Sequence, residues 1–464
     1  MACGLALATL PSAAHARPLC EPVGPDFTPH VDVVRCGFTP MPEGATCGLI
    51  FNAATPGDAD ACLVTVPFVR LPATGRATDD VPAVLLPGGP GQVLLYQLDK
   101  VEEVTRPWRT ARDLIVLDPR GGGAAVPSLF REHRTRAHDP VVAIARDAAW
   151  LRKRGLDLDA FRTARLVDDV AVLADSVPGG KLHVVGGSYG TRWALALVAA
   201  HPDKVASLVL GSPAPPTASY LDLGQSRLGD VLTQVFEACA RDERCAEDVP
   251  DPWATLEALI ANWDDAPVRA PDGSRLDGAG LVQRIQEGAK QGPPMHALPW
   301  TLRDLAGGDL SALARLSDHT PPQGVVPLLY HVITCADELP FAPATPSRPP
   351  DPRLPGLVDP LPPERAVCAA LAVTPSDPTS HQMPQIDVPT LLLVGRLDPL
   401  GGPVWGELTL QSVRDGVMFN DASVGHGVLR TECAGQAVGR FLTNPSDVVY
   451  PACFTDDEFP LTPP

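Results

Sequence analysis

The chain has 464 residues, 45% hydrophobic and 20% charged, which describes a globular protein too long for one minimal domain and excludes a disordered chain. Its formal net charge of −18 argues against nucleic acid and anionic membranes as partners, and fits a well-solvated acidic surface. Beyond the first residues no stretch approaches 18 uninterrupted apolar positions, so no membrane span is expected.

The N-terminal residues bear on compartment. Leu5 to Leu10 is a short apolar run, and Ala14-His15-Ala16 follows it as a small-residue cleavage signal. Residues 1–16 therefore read as a signal peptide, cut after Ala16. No Lys or Arg precedes the apolar run, so the leader reads as truncated at its start. Of the eleven cysteines, Cys3 falls in this leader and ten remain. Ten cysteines in an exported chain read as up to five disulfides, in a secreted or periplasmic protein. Cys239–Cys245, Cys335–Cys368 and Cys433–Cys453 are the expected pairs; the partners of Cys20, Cys36, Cys47 and Cys62 stay open. No C-x-x-C occurs, which counts against zinc ribbons and thioredoxin-type sites.

From Cys47 to Leu86 the pattern is β: Cys47–Phe51 and Cys62–Val69 are rich in β-branched and aromatic residues, and Pro82–Leu86 is a third strand. That strand runs into Pro87-Gly-Gly-Pro-Gly91, a loop able to bring backbone N–H groups close to a substrate. Pro90 has no N–H, so the donor is Gly88, Gly89 or Gly91. Asp113–Asp118 is the next strand, ending in Asp118-Pro-Arg-Gly121, where Asp118 and Arg120 read as a structural ion pair or turn cap. Residues 140–176 read as helical, with Asp168 and Asp169 on the solvated face.

Lys181 to Thr191 then combines a buried strand, a sharp turn and an Ala/Leu-rich helix. Gly186-Gly-Ser-Tyr-Gly190 is G-x-S-x-G in the context that gives that motif meaning, with Ser188 at the tip of a strand-to-helix turn. His183 lies inside the strand and is expected to point into the sheet. Strand Ala206–Leu210 follows. From Ser212 to about Ile386 strand–helix alternation stops. Helices are expected at Tyr220–Cys239, Trp253–Trp263 and Trp300–Leu316, before a stretch holding ten prolines between Pro340 and Pro363. The α/β rhythm resumes with Val388–Val394, which exits into Gly395-Arg-Leu-Asp398, and Gly416–Asn420, which exits into a loop carrying Gly425-His-Gly427. A helix from Glu432 to Leu442 closes the pattern. The domains read as a core from 17–211, a helical cap insertion at 212–386, and the remainder of the core at 387–464.

Three strand exits thus carry Ser188, Asp398 and His426, and in a mostly parallel sheet such exits share one edge. Serine is a weak nucleophile until a base takes its proton, histidine does so near neutral pH, and a buried carboxylate fixes the imidazole tautomer. Asp421, five residues before His426, is the other acid in reach. The order Ser, Asp, His is that of α/β-hydrolases. The expected fold is accordingly α/β: a mostly parallel central sheet flanked by helices, with an inserted helical cap.

Pro87-Gly-Gly-Pro-Gly91, Asp118-Pro-Arg-Gly121, Gly186-Gly-Ser-Tyr-Gly190, Gly395-Arg-Leu-Asp398 and Gly425-His-Gly427 resemble the proline-iminopeptidase and tripeptidyl-aminopeptidase-like branch of that superfamily, over roughly residues 47–445. The resemblance implies a serine exopeptidase acting on peptides with a free N-terminus, without metal or cofactor. It implies Ser188 as nucleophile, Asp398 and His426 as the rest of the triad, and Gly89 and Tyr189 as oxyanion donors. Pro87 stands where proline iminopeptidases usually have His. Ile333-Thr-Cys-Ala-Asp-Glu338 resembles the branch's cap segment, which makes Asp337 and Glu338 candidates for holding the substrate's ammonium; the alternative is two solvent-facing acids beside a disulfide. A carboxylesterase or lipase using the same triad, and a binding protein that merely kept the fold, are the competing functions. Oligomeric state is not readable.

Overall fold

The protein is described from a computed structural model, which covers residues 19–38, 40–77, 79–130, 139–223, 227–316, 324–344, 351–355, 361–446, 451–454 and 459–464. The signal-peptide reading of residues 1–16 lies outside them.

Nine strands form one sheet: β1 His30–Val34, β2 Thr46–Ala53, β3 Leu63–Leu71, β4 Ala83–Leu86, β5 Leu114–Leu117, β6 Leu182–Gly187, β7 Val205–Gly211, β8 Thr390–Gly395 and β9 Gly416–Asp421. Their order is β1-β2-β3-β5-β4-β6-β7-β8-β9. β1, β2 and β3 pair antiparallel, as do β3 and β5; every pairing from β5 through β9 is parallel. The central strands β4, β5 and β8 are buried on both faces, which is why they read as unbroken Val/Leu runs. β1 escapes the sequence pattern. It is a largely exposed edge strand, with His30, Asp32 and an exposed Val33, so no apolar alternation marks it.

The main helices are α1 Leu98–Thr105, α2 Pro140–Arg152, α3 Thr163–Asp175, α4 Tyr189–Ala200, α5 Leu228–Arg241, α6 Pro252–Asp265, α7 Gly278–Gln291, α8 Leu298–Ala306, α9 Pro327–Ile333, α10 Leu361–Leu371, α11 Gly402–Leu410 and α12 Glu432–Thr443. The helix expected over 140–176 is broken, because Gly155 adopts a positive φ of 82° between α2 and α3. The stretch Trp300–Leu316 divides as well: α8 stops before Gly307-Gly308, and a short tight turn of helix resumes at Leu310. α7 was not expected, since Gly280 and Gly288 depress its helical signal.

Apolar clusters cover both faces of the sheet, one built around Trp193 and Phe161, the other around Trp108 and Phe441. Helices α5 to α8 enclose a separate core of Leu232, Leu256, Leu281, Ile285, Leu302 and neighbours, while α9 and α10 pack into the cluster on the sheet. Among the described residues five disulfides are present. Cys239–Cys245, Cys335–Cys368 and Cys433–Cys453 pair as expected, and Cys20–Cys62 and Cys36–Cys47 complete the set. Among the described residues no helix is long and apolar enough to cross a membrane.

Candidate active site

β6 ends at Gly187, α4 begins at Tyr189, and Ser188 alone makes the turn, at φ 55° and ψ −124°. That conformation costs a non-glycine residue on the order of 1–3 kcal/mol, so the surroundings must enforce it. They do so by close approach. A Cβ on Gly190 would strike the Leu86 carbonyl, and one on Gly186 would strike the Gly190 carbonyl. Ser188 is further fixed by its N–H donating to Gly211 O (2.9 Å), and by its own carbonyl, which accepts from Thr191 N (2.9 Å) and Thr191 Oγ1 (2.6 Å). The N-terminus of α4 points at this turn and favours negative charge there. His183 does face into the sheet, 2.7 Å from Ser207 Oγ, and burial pushes its pKa down to about 4.

Two further strand exits meet Ser188. His426 Nε2 lies 2.7 Å from Ser188 Oγ, and His426 Nδ1 lies 2.8 Å from Asp398 Oδ2. Asp398 is 2% exposed, and its Oδ1 accepts from Leu400 N at 2.9 Å. Burial alone would raise its pKa. The His426 ring and the N–H groups of Leu400 and Gly401 outweigh burial and leave it lowered. The two exit loops touch because Gly395 has no Cβ; one there would collide with the Gly425 carbonyl. Asp421 is not part of this line. Its carboxylate accepts from Ser423 N (2.9 Å) and Ser423 Oγ (2.6 Å), capping the turn that leads to His426.

The Pro87–Gly91 loop lies over the serine. A Cβ on Gly88 would sit 3.1 Å from Ser188 Cβ and 3.0 Å from Gly187 O. Gly88 N donates to Gln92 Oε1 at 3.2 Å, while among the described residues the N–H groups of Gly89 and Tyr189 donate to no other protein atom. Gly89 has φ 110°, a conformation reserved for glycine. Beyond the loop, Val326 N donates to Gly91 O (2.9 Å) and Val93 N to Gly324 O (2.6 Å), so the segment before α9 braces it. Asp118 braces it from the sheet side, accepting from Leu94 N (2.6 Å) and Leu95 N (3.2 Å). Burial pushes the Asp118 carboxyl up to about 6 against the opposing pull of those two bonds.

Asp118 is therefore a turn cap, and Arg120 is the member of an ion pair, but its partner corrects an expectation. Asp169 is not on a solvated face. It is 1% exposed and receives Arg120 Nε (2.7 Å), Arg120 Nη2 (2.5 Å) and Asn52 Nδ2 (2.9 Å). Its neighbour Asp168 is the half-buried one, paired with Arg165 at 2.7 Å. The turn of α3 toward β2 puts Asp169 inward where a period-based reading puts it outward.

Asp337 and Glu338 lie in a five-residue π-helical turn, Thr334–Glu338, tied to α10 by Cys335–Cys368. They are not solvent-facing. Asp337 accepts from Thr163 N (2.8 Å) and from Ser376 Oγ. Glu338 is fully buried and pairs with Arg192, Oε1 to Nη1 at 3.2 Å. Burial pushes its carboxyl up to about 7, although Arg192 pulls the other way. Arg192 was missed at the sequence level. Its guanidinium also donates to the carbonyls of Ala214 (3.0 Å), Pro216 (3.3 Å) and Ala218 (2.9 Å), fastening the chain after β7 to α4. Its signal was a lone cation inside an otherwise apolar helix, Thr191-Arg-Trp-Ala-Leu195. The ring of Tyr189 lies beside this cluster, its hydroxyl 3.0 Å from Thr163 Oγ1.

A mostly parallel sheet with a serine elbow, an acid and a histidine on three strand exits defines the α/β-hydrolase fold, and the chain has it. A family profile described as "alpha/beta hydrolase fold" matches residues 82–245, and one described as "TAP-like protein" matches residues 361–448. Serine protease Hip1 of Mycobacterium tuberculosis is 25% identical over 259 residues, covering 51% of this chain and 49% of that protein, and the Mycobacterium bovis form matches equally. The chain thus spans about half the length of the curated relatives it matches. Among solved structures, a proline iminopeptidase from Mycobacterium smegmatis aligns at TM-score 0.42 and 16% identity, over 85% of this chain and 98% of that one. A thermophilic esterase from Thermogutta terrifontis aligns at TM-score 0.39 and 15% identity, over 86% and 99%. The chain has the α/β-hydrolase fold, and its profiles and its serine-protease relative make it similar to the branch that contains serine peptidases.

Proposed function

We propose that the protein is an exported serine exopeptidase that cleaves peptides near a free N-terminus through an acyl-enzyme. One observation carries the reading: Ser188, His426 and Asp398 form an unbroken hydrogen-bonded line of 2.7 and 2.8 Å at the exits of parallel strands. In this mechanism His426 Nε2 takes the Ser188 proton as Oγ attacks the scissile carbonyl, and then delivers it to the departing amine. Asp398 holds the Nδ1–H tautomer and steadies the imidazolium. The Gly89 and Tyr189 N–H groups receive the oxyanion, each such donor contributing on the order of 10²–10³ in turnover. Water then repeats the attack on the acyl-Ser188 ester. Five disulfides suit an oxidising compartment, and so support a secreted or periplasmic location.

The resemblance to aminopeptidases and the serine-protease relative support a peptide substrate. Asp337 and Glu338 enter as the acids behind the site. To reach Glu338, a substrate ammonium would have to compete with Arg192. That prior pairing favours a second reading, an ester hydrolase on the same triad. One experiment separates them: assay the protein on a peptide amide reporter with a free or an acetylated N-terminus, beside a short-chain ester, with Ser188→Ala as background. Cleavage of the free-amine reporter that is lost on acetylation supports the exopeptidase. Ester turnover with neither peptide cut supports the esterase. Near wild-type activity in Ser188→Ala refutes both.

A further inference from the structure

We propose that His296 is a positioning residue for the catalytic base: it holds the His426 loop from outside the sheet and is itself held by the C-terminal segment. The proposal rests on reading His426 as the base.

Part of the His426 loop is anchored by the sheet. Ser212 Oγ donates to His426 O at 2.8 Å, and Leu397 N donates to Val424 O at 3.1 Å. The rest is anchored by residues between β7 and β8. The last turn of α7 presses on the loop: Gly427 N donates to Lys290 O at 3.2 Å, and a Cβ on Gly425 would collide with the Ala289 carbonyl. Gly292, at φ 97°, turns the chain so closely that its own Cβ would stand 2.6 Å from Val424 Cα. The chain then reaches His296, whose Nε2 lies 2.7 Å from Ser423 O, three residues before His426. A carbonyl only accepts, so His296 is the donor and carries its proton on Nε2. Burial lowers its pKa, which suits a neutral ring.

The other side of His296 meets the C-terminal segment. His296 O accepts from Thr462 N at 3.0 Å, and its ring lies edge-on to Phe459 at 5.2 Å. Leu461 packs on the cluster of Cys239, Cys245, Val249 and Trp300. Upstream, Phe454 is buried against Phe419 of β9 at 5.4 Å, and Cys453 is bonded to Cys433 of α12. The segment is therefore fastened to the sheet at one end and to the helices between β7 and β8 at the other, with His296 at the second fastening. This arrangement bears on catalysis because a misplacement of about 1 Å in a catalytic group can lower a rate on the order of 10²-fold.

Three variants test it: His296→Phe, which keeps a ring against Phe459 but has no donor for Ser423 O; His296→Gln, which restores an N–H donor; and deletion of 459–464. The readouts are the rate of covalent labelling of Ser188 by a fluorophosphonate, kcat and KM on the ester reporter, and the melting temperature. His296→Phe should label and turn over about tenfold more slowly with KM unchanged. The deletion should follow it, and His296→Gln should recover much of the rate. Wild-type labelling and kcat in both His296→Phe and the deletion overturn the proposal, as does a rate loss in His296→Phe that His296→Gln shares in full. Should His296→Phe fail to fold, wild-type labelling and kcat in the deletion, or a His296→Gln as slow as the deletion, overturns the proposal. A wild-type protein that does not label at all refutes the serine-hydrolase reading instead.

Discussion

Replacing Asp398 by Asn tests the triad through the tautomer it imposes. The amide is nearly the same shape as the carboxylate, so packing around a residue 2% exposed is preserved. Its orientation is dictated from one side: Leu400 N donates to Oδ1 at 2.9 Å, so the carbonyl oxygen of Asn must take that place. The NH2 group then occupies the position of Oδ2, 2.8 Å from His426 Nδ1. Two donors cannot face each other, so Nδ1 must lose its hydrogen and Nε2 must carry it. A protonated Nε2, 2.7 Å from Ser188 Oγ, cannot accept the serine proton. In triads of this kind the change lowers turnover on the order of 10⁴-fold, equivalent to about 5 kcal/mol in the barrier. Asp398→Ala leaves the imidazole free to choose its tautomer, so Asp398→Asn should be at least as impaired. Steady-state kcat/KM on the ester and peptide reporters measures both variants, with thermal melting as the control for folding. A loss of less than tenfold in a well-folded Asp398→Asn would refute the argument, and with it the assignment of Asp398.

Asp169→Ala should destabilise the protein by about 3–5 kcal/mol, because it leaves Arg120, 0% exposed, as an uncompensated buried charge. The urea midpoint reads this, and a loss below about 1 kcal/mol would mean the pair behaves as a surface bridge. The double variant Arg120→Met/Asp169→Leu should recover most of the loss. Asp118 predicts a pH effect. Its carboxyl keeps its proton to about pH 6 when folded, whereas an unfolded Asp gives it up near ~3.9. Between those values the native state binds more protons, so this group's contribution to stability declines as pH rises through the window and is constant above it. Asp118→Asn keeps an acceptor for the Leu94 and Leu95 N–H groups and cannot ionise. Denaturant unfolding at several pH values should therefore show a smaller decline from pH 4 to 6, and a variant more stable at pH 7 by at most ~3 kcal/mol. An unchanged pH profile would show that Asp118 is not the group responsible.

What was legible in the sequence was whatever a short stretch must satisfy by itself. Gly186 and Gly190 flank Ser188 because the turn leaves no room for a Cβ, and that requirement appears within five residues. Asp398 and His426 stand out because each lies in the loop that follows a strand, and parallel strands bring such loops to one edge. The unread features depend on partners distant in the chain. Asp169 has the local signature of a solvent residue of α3, but Arg120, 49 positions earlier, pairs with it. Glu338 reads in sequence as an acid open to a ligand, but Arg192, 146 positions away, already pairs with it. Both acids carry the same local signature as an exposed one, a charge next to apolar neighbours, and only the burial of an opposite charge distinguishes them. The same holds for His296: nothing near it in sequence marks a histidine whose carbonyl meets Thr462 and whose ring meets Ser423. The proposed reacting groups are thus announced by local motifs. On the proposed role of His426, groups that keep it in register come also from the helices between β7 and β8 and from the C-terminal segment, and substitutions there that touch no reacting atom should still alter the rate.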